Sequence, residues 1–410
     1  MEITKDCVFK MHKLEKRKEN EEEFLIGRPD VSDFVILPNL AIEIIELLDS
    51  GLTVSEIEKV MAEKEIDVDV MDFASSLVND LLFVHMVNGV VVNEVVNDNG
   101  HFENISEHTA KRFFNRFAFG AYLLLFIVGV SFCLYDHSFI PKYQDAIVFP
   151  SVTLSLIIST AIGWVLIFTH EFAHLLAAKS LSVKSKIGLG HRLVFPVAET
   201  DMSNIVLLPH KRRYKALIAG MAWDGALFGL GVFVLFLGNY VIELDIYFLN
   251  LIKLINLICV LGIAFQFFFY LETDIYYVLT TFFKCNNLIH NTRLYVRILT
   301  KRANLEQKLE FENIDLTEKK IMKGYIWIYI IGVIWAITLF MTVTLPTFIK
   351  FVSLTLVKMF NNPFFSREFF DGIIFILLSS IPFIILGWSW YKTWKTNQSR
   401  NNRRVSSEAI

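Results

Sequence analysis

Residues 162–181, IGWVLIFTHEFAHLLAAKSL, decide how the rest of this chain is read. Apart from His170, Glu171, His174 and the terminal Lys179, the run is apolar or small, so it reads as the end of a membrane-crossing helix. Residues four apart share one helical face, so His170 and His174 can offer two imidazoles to a single metal ion, with Glu171 beside them and offset around the axis. Ionisable groups in an apolar helix are expensive to desolvate unless they are paired or metal-bound. In a chain with ten histidines, a chance HExxH is roughly a one-in-a-hundred event. Zinc is therefore the expected cofactor, with Glu171 as the general base that takes a proton from the attacking water.

Composition extends the membrane reading outward. The 410 residues are 54% hydrophobic, against an apolar share of about 45–50% in soluble domains even with glycine counted. Six stretches are long enough to cross a bilayer, near 116–135, 150–180, 214–238, 245–270, 324–348 and 369–391. Lysine and arginine collect at Lys111, Arg112 and Arg116, at Lys211 to Lys215, between Lys284 and Lys323, and from Lys392 to Arg404. These clusters alternate correctly for six spans, which places both termini in the cytosol and Asp136–Val148, Asn239–Asp245 and Lys350–Phe365 outside. The N-terminus has no apolar core of signal-peptide length. The expected class is a predominantly α-helical, multi-pass protein of the cell membrane, with the lipid bilayer as one partner.

A net charge of −3 gives no sign of nucleic-acid binding. Cys7, Cys133, Cys259 and Cys285 are scattered without CxxC spacing, so they are read as packing residues. Lys253 and Asn256 in the fourth span are read as snorkelling or packing against another helix.

A zinc site needs a third protein ligand, and that ligand must lie at the depth of His170. Asp274, in FFFYLETDIYYVLTTFFKCNNL where the fourth span reaches the cytosolic side, satisfies this, with Glu272 as its competitor. Asp224, in IAGMAWDGALFG of the third span, is expected to orient substrate or to serve structurally rather than to ligate. Between the two key spans, residues 183–213 are mixed and strand-like with glycines at 188 and 190, and predict a hairpin that could present an extended substrate. His191 and His210, which lie there, are read as surface or headgroup residues.

HEFAH in an apolar helix, a later span opening with AGxxxD and the TDIYY segment resemble the site-2 protease family of intramembrane zinc metallopeptidases, over roughly residues 150–290. The resemblance implies His170 and His174 as ligands, Glu171 as base, and Asp274 as the counterpart of the aspartate in the family's LDG motif. Ile275 stands where that motif has glycine, no NPxP segment precedes it, and Met221 and Asp224 replace the usual proline and asparagine of GPxxN. Within the family the chain looks most like the peptide-type enzymes found beside bacterial peptide-modification systems, which carry an ETDMS-like stretch, here Glu199–Ser203.

Residues 1–110 read as a small cytosolic α+β domain ahead of a peptidase core at 111–290, a cytosolic loop at 291–322 and two further spans with a basic tail at 323–410. FLI and DFVIL are the expected strands, and Leu40–Leu48, Thr53–Lys64 and Asp69–Phe83 the expected helices, with Thr53 and Glu56 as a capping box. Val70, Phe73, Leu77 and Leu81 form an apolar stripe on the third helix. The pattern is winged-helix-like, but the acidic Glu43, Glu46, Glu56, Asp72 and Asp80 on its helices favour peptide over DNA. The segment LPNLAIEIIELLDSGLTVSEI resembles the PqqD-like domains that recognise leader peptides of ribosomally made, modified peptides. A leader would then add as a strand along Phe34, Val35 and Ile36 and rest against Phe73 and Leu77.

The expected function is a zinc-dependent intramembrane endopeptidase that processes a small, modified, bacteriocin-like precursor, with a modification enzyme or transporter as a possible further partner. Two alternatives stand beside it. One is cleavage of a membrane-anchored regulator, and the other is a non-proteolytic peptide binder of the export or immunity kind.

Overall fold

A computed structural model describes residues 3–94, 102, 104–192, 195–285, 287–381 and the positions 384, 387, 388 and 391. The chain divides into two compact units. The first comprises residues 1–105 together with 182–186 and 202–211, and the second comprises 106–181, 187–201 and 212–410.

In the first unit β1 (Phe9–Met11), β2 (Glu15–Lys18), β3 (Glu23–Arg28) and β4 (Asp33–Pro38) precede α1 (Asn39–Asp49), α2 (Val54–Glu63) and α3 (Val70–Asn79), and β5 (Val84–Val87) and β6 (Val90–Val91) follow. The strands form two antiparallel three-stranded sheets in the orders β1-β5-β6 and β2-β3-β4. β3 and β4 can approach closely because Gly27 faces Phe34, where a Cβ would lie 2.0 Å from the Asp33 carbonyl oxygen. α1 buries Ala41, Ile42, Ile44, Ile45 and Leu48 at helical spacing. α2 opens with the expected capping box, the Glu56 carboxylate accepting from Thr53 N at 2.9 Å and Thr53 Oγ1 from Glu56 N at 3.3 Å. α3 stops at Asn79, short of the expected Phe83, because the chain turns through a left-handed Leu82 with φ of 54°. Ile44, Leu48, Ile57, Met61, Val70, Leu77 and Phe83 make the core.

Residues 202–211 fold with these elements. Arg17 Nη1 donates to Leu208 O at 2.6 Å, Asn204 Nδ2 to Pro29 O at 3.3 Å, and His210 Nε2 lies 3.1 Å from Glu19 Oε1. His210, read as a surface or headgroup residue, is half-buried against Glu19.

The second unit is helical: α4 (Glu107–Phe113), α5 (Arg116–Tyr135), α6 (Val152–Lys179), the strands β7 (Lys186–Arg192) and β8 (Phe195–Asp201), then α7 (His210–Leu217), α8 (Ala219–Tyr240), α9 (Ile246–Phe265), α10 (Asp274–Phe283), α11 (Leu288–Leu299), α12 (Leu305–Asn313), α13 (Leu316–Leu339) and α14 (Leu345–Asn361). Five helical stretches are long and apolar enough to cross a membrane among the described residues: Glu107–Tyr135, Val152–Lys179, Ala219–Tyr240, Ile246–Phe265 and Leu316–Asn361. The protein is thus mostly helical, with a small N-terminal strand-containing unit.

α8 lies at the centre of the helices, against α5, α6 and α9. It meets α5 where Gly129 faces Gly229, at a distance that admits no Cβ on either, the small-residue crossing that lipid-embedded helices use. It meets α9 where the fully buried Asn256 fits the notch of Gly231, so Asn256 is a packing residue as expected. All four cysteines are buried and free. Leu124, Leu134 and Val165 stay more than half exposed, as lipid-facing side chains do.

Two sequence expectations change here. Lys350–Phe365, expected as an outer loop after a span ending at 348, is helical as far as Asn361. The helix runs on through Pro346 because a π turn at Phe340–Thr344 absorbs the missing N–H, and no other breaker follows. Its 46 residues extend about 69 Å at 1.5 Å per residue, well beyond a 30 Å bilayer core. The expected loop at 291–322 is likewise folded, into α11, α12 and the start of α13, around Tyr276, Cys285, Leu288, Ile289 and Tyr325.

Of the sixth expected span, 369–391, residues up to 381 are helical, and most of the remainder lies outside the described residues. This stretch also fastens α6. The Asp371 carboxylate accepts from Ser151 Oγ at 2.7 Å, Val152 N at 3.0 Å and Thr153 N at 3.3 Å.

Candidate metal centre

The C-terminal half of α6 carries the histidines inward, with His170 at 8% and His174 at 1% exposure. α9 ends at Gln266, and the chain turns back so that Asp274 opens the separate short helix α10. Thr273 Oγ1 donates to Gln266 O at 2.8 Å, and Asp274 N to Gln266 Oε1 at 3.0 Å, which fixes the turn. Asp274 Oδ2 then lies 3.0 Å from His170 Nε2 and 3.0 Å from His174 Nε2, and the two nitrogens are 3.2 Å apart. Glu272, the competing carboxylate, is exposed, and the group that can hold a metal ion among the described residues is His170, His174 and Asp274.

The outward nitrogens settle the protonation pattern. His174 Nδ1 is 2.8 Å from the carbonyl oxygen of Ala216, which can only accept, so the proton sits on Nδ1. His170 Nδ1 is 2.7 Å from Asp224 Oδ2 and donates in the same way. With Nδ1 protonated, the neutral form of each ring turns its Nε2 lone pair toward the other and toward the Asp274 oxygen, an arrangement that a proton or a metal ion between them stabilises. Tetrahedral zinc with bonds of about 2.0–2.1 Å sets its ligand atoms ~3.3 Å apart, close to the spacing present.

The space is kept open by α8. A Cβ on Gly220 would stand 2.4 Å from His170 Nε2 and 2.5 Å from His174 Nε2. Ala216, Gly220 and Asp224 recur every four residues, so α7 and α8 present to α6 a carbonyl, a gap and a carboxylate in register with the two imidazoles. Of the two roles expected for Asp224, substrate-orienting or structural, the geometry fits the structural one: it is 5% exposed and committed to His170. The donor set, the outward hydrogen bonds and the cradle at Gly220 all fit a zinc ion.

Glu171 stands off the triad, around the helix. Thr200 Oγ1 of β8 lies 2.8 Å from Glu171 Oε2 and 2.9 Å from Glu171 O, and its single proton ties β8 to α6 at this residue. Glu171 Oε1 has no hydrogen bond among the described residues. Gly220, Thr200 and Gln266 are the residues that sequence reasoning missed. Four-residue spacing with Asp224 would have singled out Gly220. Thr200 lies in the ETDMS-like stretch but was given no role of its own, and Gln266 carries no comparable signal. His191 lies in the part of the hairpin whose side chains are outside the described residues.

The remaining candidates belong to the first unit. Phe34, Val35 and Ile36 lie in β4, an edge strand of its sheet, with Ile36 exposed. Phe73 is half-buried. Leu77, expected to touch a bound peptide, is fully buried in the core, because α3 turns its Val70, Ala74 and Leu77 face inward. No protein-family model, no curated protein and no solved structure matches this chain.

Proposed function

We propose that this chain is a zinc-dependent endopeptidase of the site-2 protease kind that works within the cell membrane, with both termini in the cytosol. The observation that carries the reading is the convergence of His170 Nε2, His174 Nε2 and Asp274 Oδ2. His170, His174 and Asp274 hold the ion, and Asp224 and the Ala216 carbonyl keep the imidazoles in the tautomer that ligation needs. Bound zinc would supply a Lewis acid for the scissile carbonyl. Glu171, its Oε2 fixed by Thr200, uses Oε1 to take a proton from the attacking water and passes it to the leaving amine. β8 runs beside this carboxylate and offers main-chain groups on which an extended substrate can add as a strand.

The first unit supports a peptide substrate. Three helices followed by the β5–β6 hairpin, with β1 completing its sheet, give a winged-helix-like order. The free edge of β4 suits strand addition by the leader of a small, ribosomally made and modified precursor, with Phe73 as the half-exposed side chain of α3 available to it.

The test is metal content followed by activity. Purified protein should hold one zinc per chain, retained in Glu171→Gln and lost in both His170→Ala and Asp274→Ala. A chain without zinc, or an Asp274→Ala variant that keeps it, overturns the site. A Glu171→Gln variant with full biological activity overturns proteolysis and leaves peptide binding.

A further inference from the structure

Where α5 begins, a crevice of about 280 Å3 opens between it and the chain running from α7 into α8, lined by Asn115, Arg116, Phe119, Lys215 and Ile218. Its charge is one-sided. Lys111 is paired with Glu107, but Arg116, Lys215 and Arg212 have no carboxylate within 4 Å among the described residues. The guanidinium of Arg116 lies 4.7 Å over the Phe117 ring, a contact that leaves its N–H groups available. Lys215 is half-buried, and its burial, together with the neighbouring Lys111 and Arg212, pushes its ammonium below the usual lysine range. Among the described residues no carboxylate pairs with the crowded Arg212 and Lys215.

The walls are of a different character. Phe119 and Ile218 line the crevice with carbon, and Asn115 has committed its Oδ1 to the N–H groups of Phe117 and Ala118. The site lies at the charged end of a helix whose remainder is apolar and long enough to cross a membrane, so it falls at the depth where lipid phosphates meet acyl chains. We infer that this crevice binds one anionic phospholipid, with its phosphate between Arg116 and Lys215 and its glycerol and upper acyl carbons against Phe119 and Ile218. Inorganic phosphate would satisfy the cations and leave the carbon walls unused. A zwitterionic lipid would bring its own cation against them.

The test uses the full chain purified in detergent, with native mass spectrometry of lipid adducts titrated with phosphatidylglycerol or phosphatidylcholine of identical acyl chains. Wild type should prefer phosphatidylglycerol. The pair Arg116→Gln/Lys215→Gln should lower its affinity roughly 30-fold, the effect of two cations at an anionic lipid surface. The charge-keeping pair Arg116→Lys/Lys215→Arg should retain the preference, which separates charge from folding. A control pair of exposed lysines, Lys320→Gln/Lys323→Gln, should leave it unchanged. If the crevice pair loses no more than the control pair, the attraction is a property of the whole basic surface and the site does not exist. If millimolar inorganic phosphate displaces the lipid from wild type, the crevice reads phosphate alone and the lipid assignment fails.

Discussion

Replacing Gly220 with alanine should empty the metal centre while leaving the helices in place. The added methyl would stand 2.4 Å from His170 Nε2 and 2.5 Å from His174 Nε2, against a floor of 3.0 Å for real Cβ contacts, a shortfall of about 0.6 Å. Neither ring can swing away cheaply, since Asp224 holds one at 2.7 Å and the Ala216 carbonyl holds the other at 2.8 Å. Metal–ligand distances tolerate only about 0.2 Å. A displacement of roughly three times that should lower zinc affinity by about 100-fold or more, on the order of 2.7 kcal/mol. The assay is zinc titration against a chelating competitor, with Gly163→Ala as control, since nothing lies within 4 Å of a Cβ at that position of α6, the helix that carries both imidazoles. The control should bind zinc as wild type does. Gly220→Ala binding zinc with wild-type affinity would refute the inference that these two nitrogens share an ion in this arrangement.

Other perturbations read other parts of the structure. Asp224→Ala removes the acceptor of His170 Nδ1 and should weaken zinc binding about 10- to 100-fold, measured by the same titration. Thr200→Val should leave zinc content unchanged and lower turnover of any peptide the wild type cleaves by roughly 10-fold or more, because Glu171 loses its anchor. Asp371→Ala strips three donors at the start of α6 and should cost about 2 kcal/mol, visible as a Tm several degrees lower in detergent. Burial works to raise the Asp30 carboxyl, but the two-pronged contact with the buried Arg28 outweighs it and holds Asp30 below the usual carboxylate range. A depressed folded-state pKa stabilises above the unfolded value and loses that contribution as pH falls through the folded one. The Tm difference between wild type and Asp30→Asn should therefore be present at pH 7 and shrink as the pH drops below 4, and a pH-independent difference would exclude the ion pair as its cause.

The clustering of His170, His174 and Asp274 was legible in the sequence because helical spacing alone puts the two histidines on one face, and depth along the helices selects a carboxylate near the end of a later span. What spacing could not give was the crossing of α6 with α8. The face of α8 that meets the imidazoles is the one carrying Gly220 and Asp224, so Asp224 was visible as a buried carboxylate while its partner was not. Gly220 has no side chain to read, so its four-residue spacing from Asp224 was the one signal that pointed to it. The helix through Asn361 was mistaken for a loop because Lys350 and Lys358 look like a boundary, whereas a helix lays such residues on one side and can satisfy them there. Lys358 Nζ donates to the Pro150 carbonyl. Leu77 was the opposite error: an apolar stripe marks a face without saying whether the protein or a ligand covers it.

The make-up of the first unit sets a limit on how this chain can be taken apart. A chain beginning at Ser106 would keep His170, His174, Asp274, Asp224 and Gly220, yet it would leave the Leu208 carbonyl, Asn204 and His210 without Arg17, Pro29 and Glu19. A fragment ending at Ile105 would lose the same contacts from the other side, since residues 182–186 and 202–211 belong to its fold. The N-terminal residues are thus not a detachable module, and their removal deletes part of the support of the segment that follows Thr200. Point substitutions, rather than truncation, are the way to ask what each part contributes.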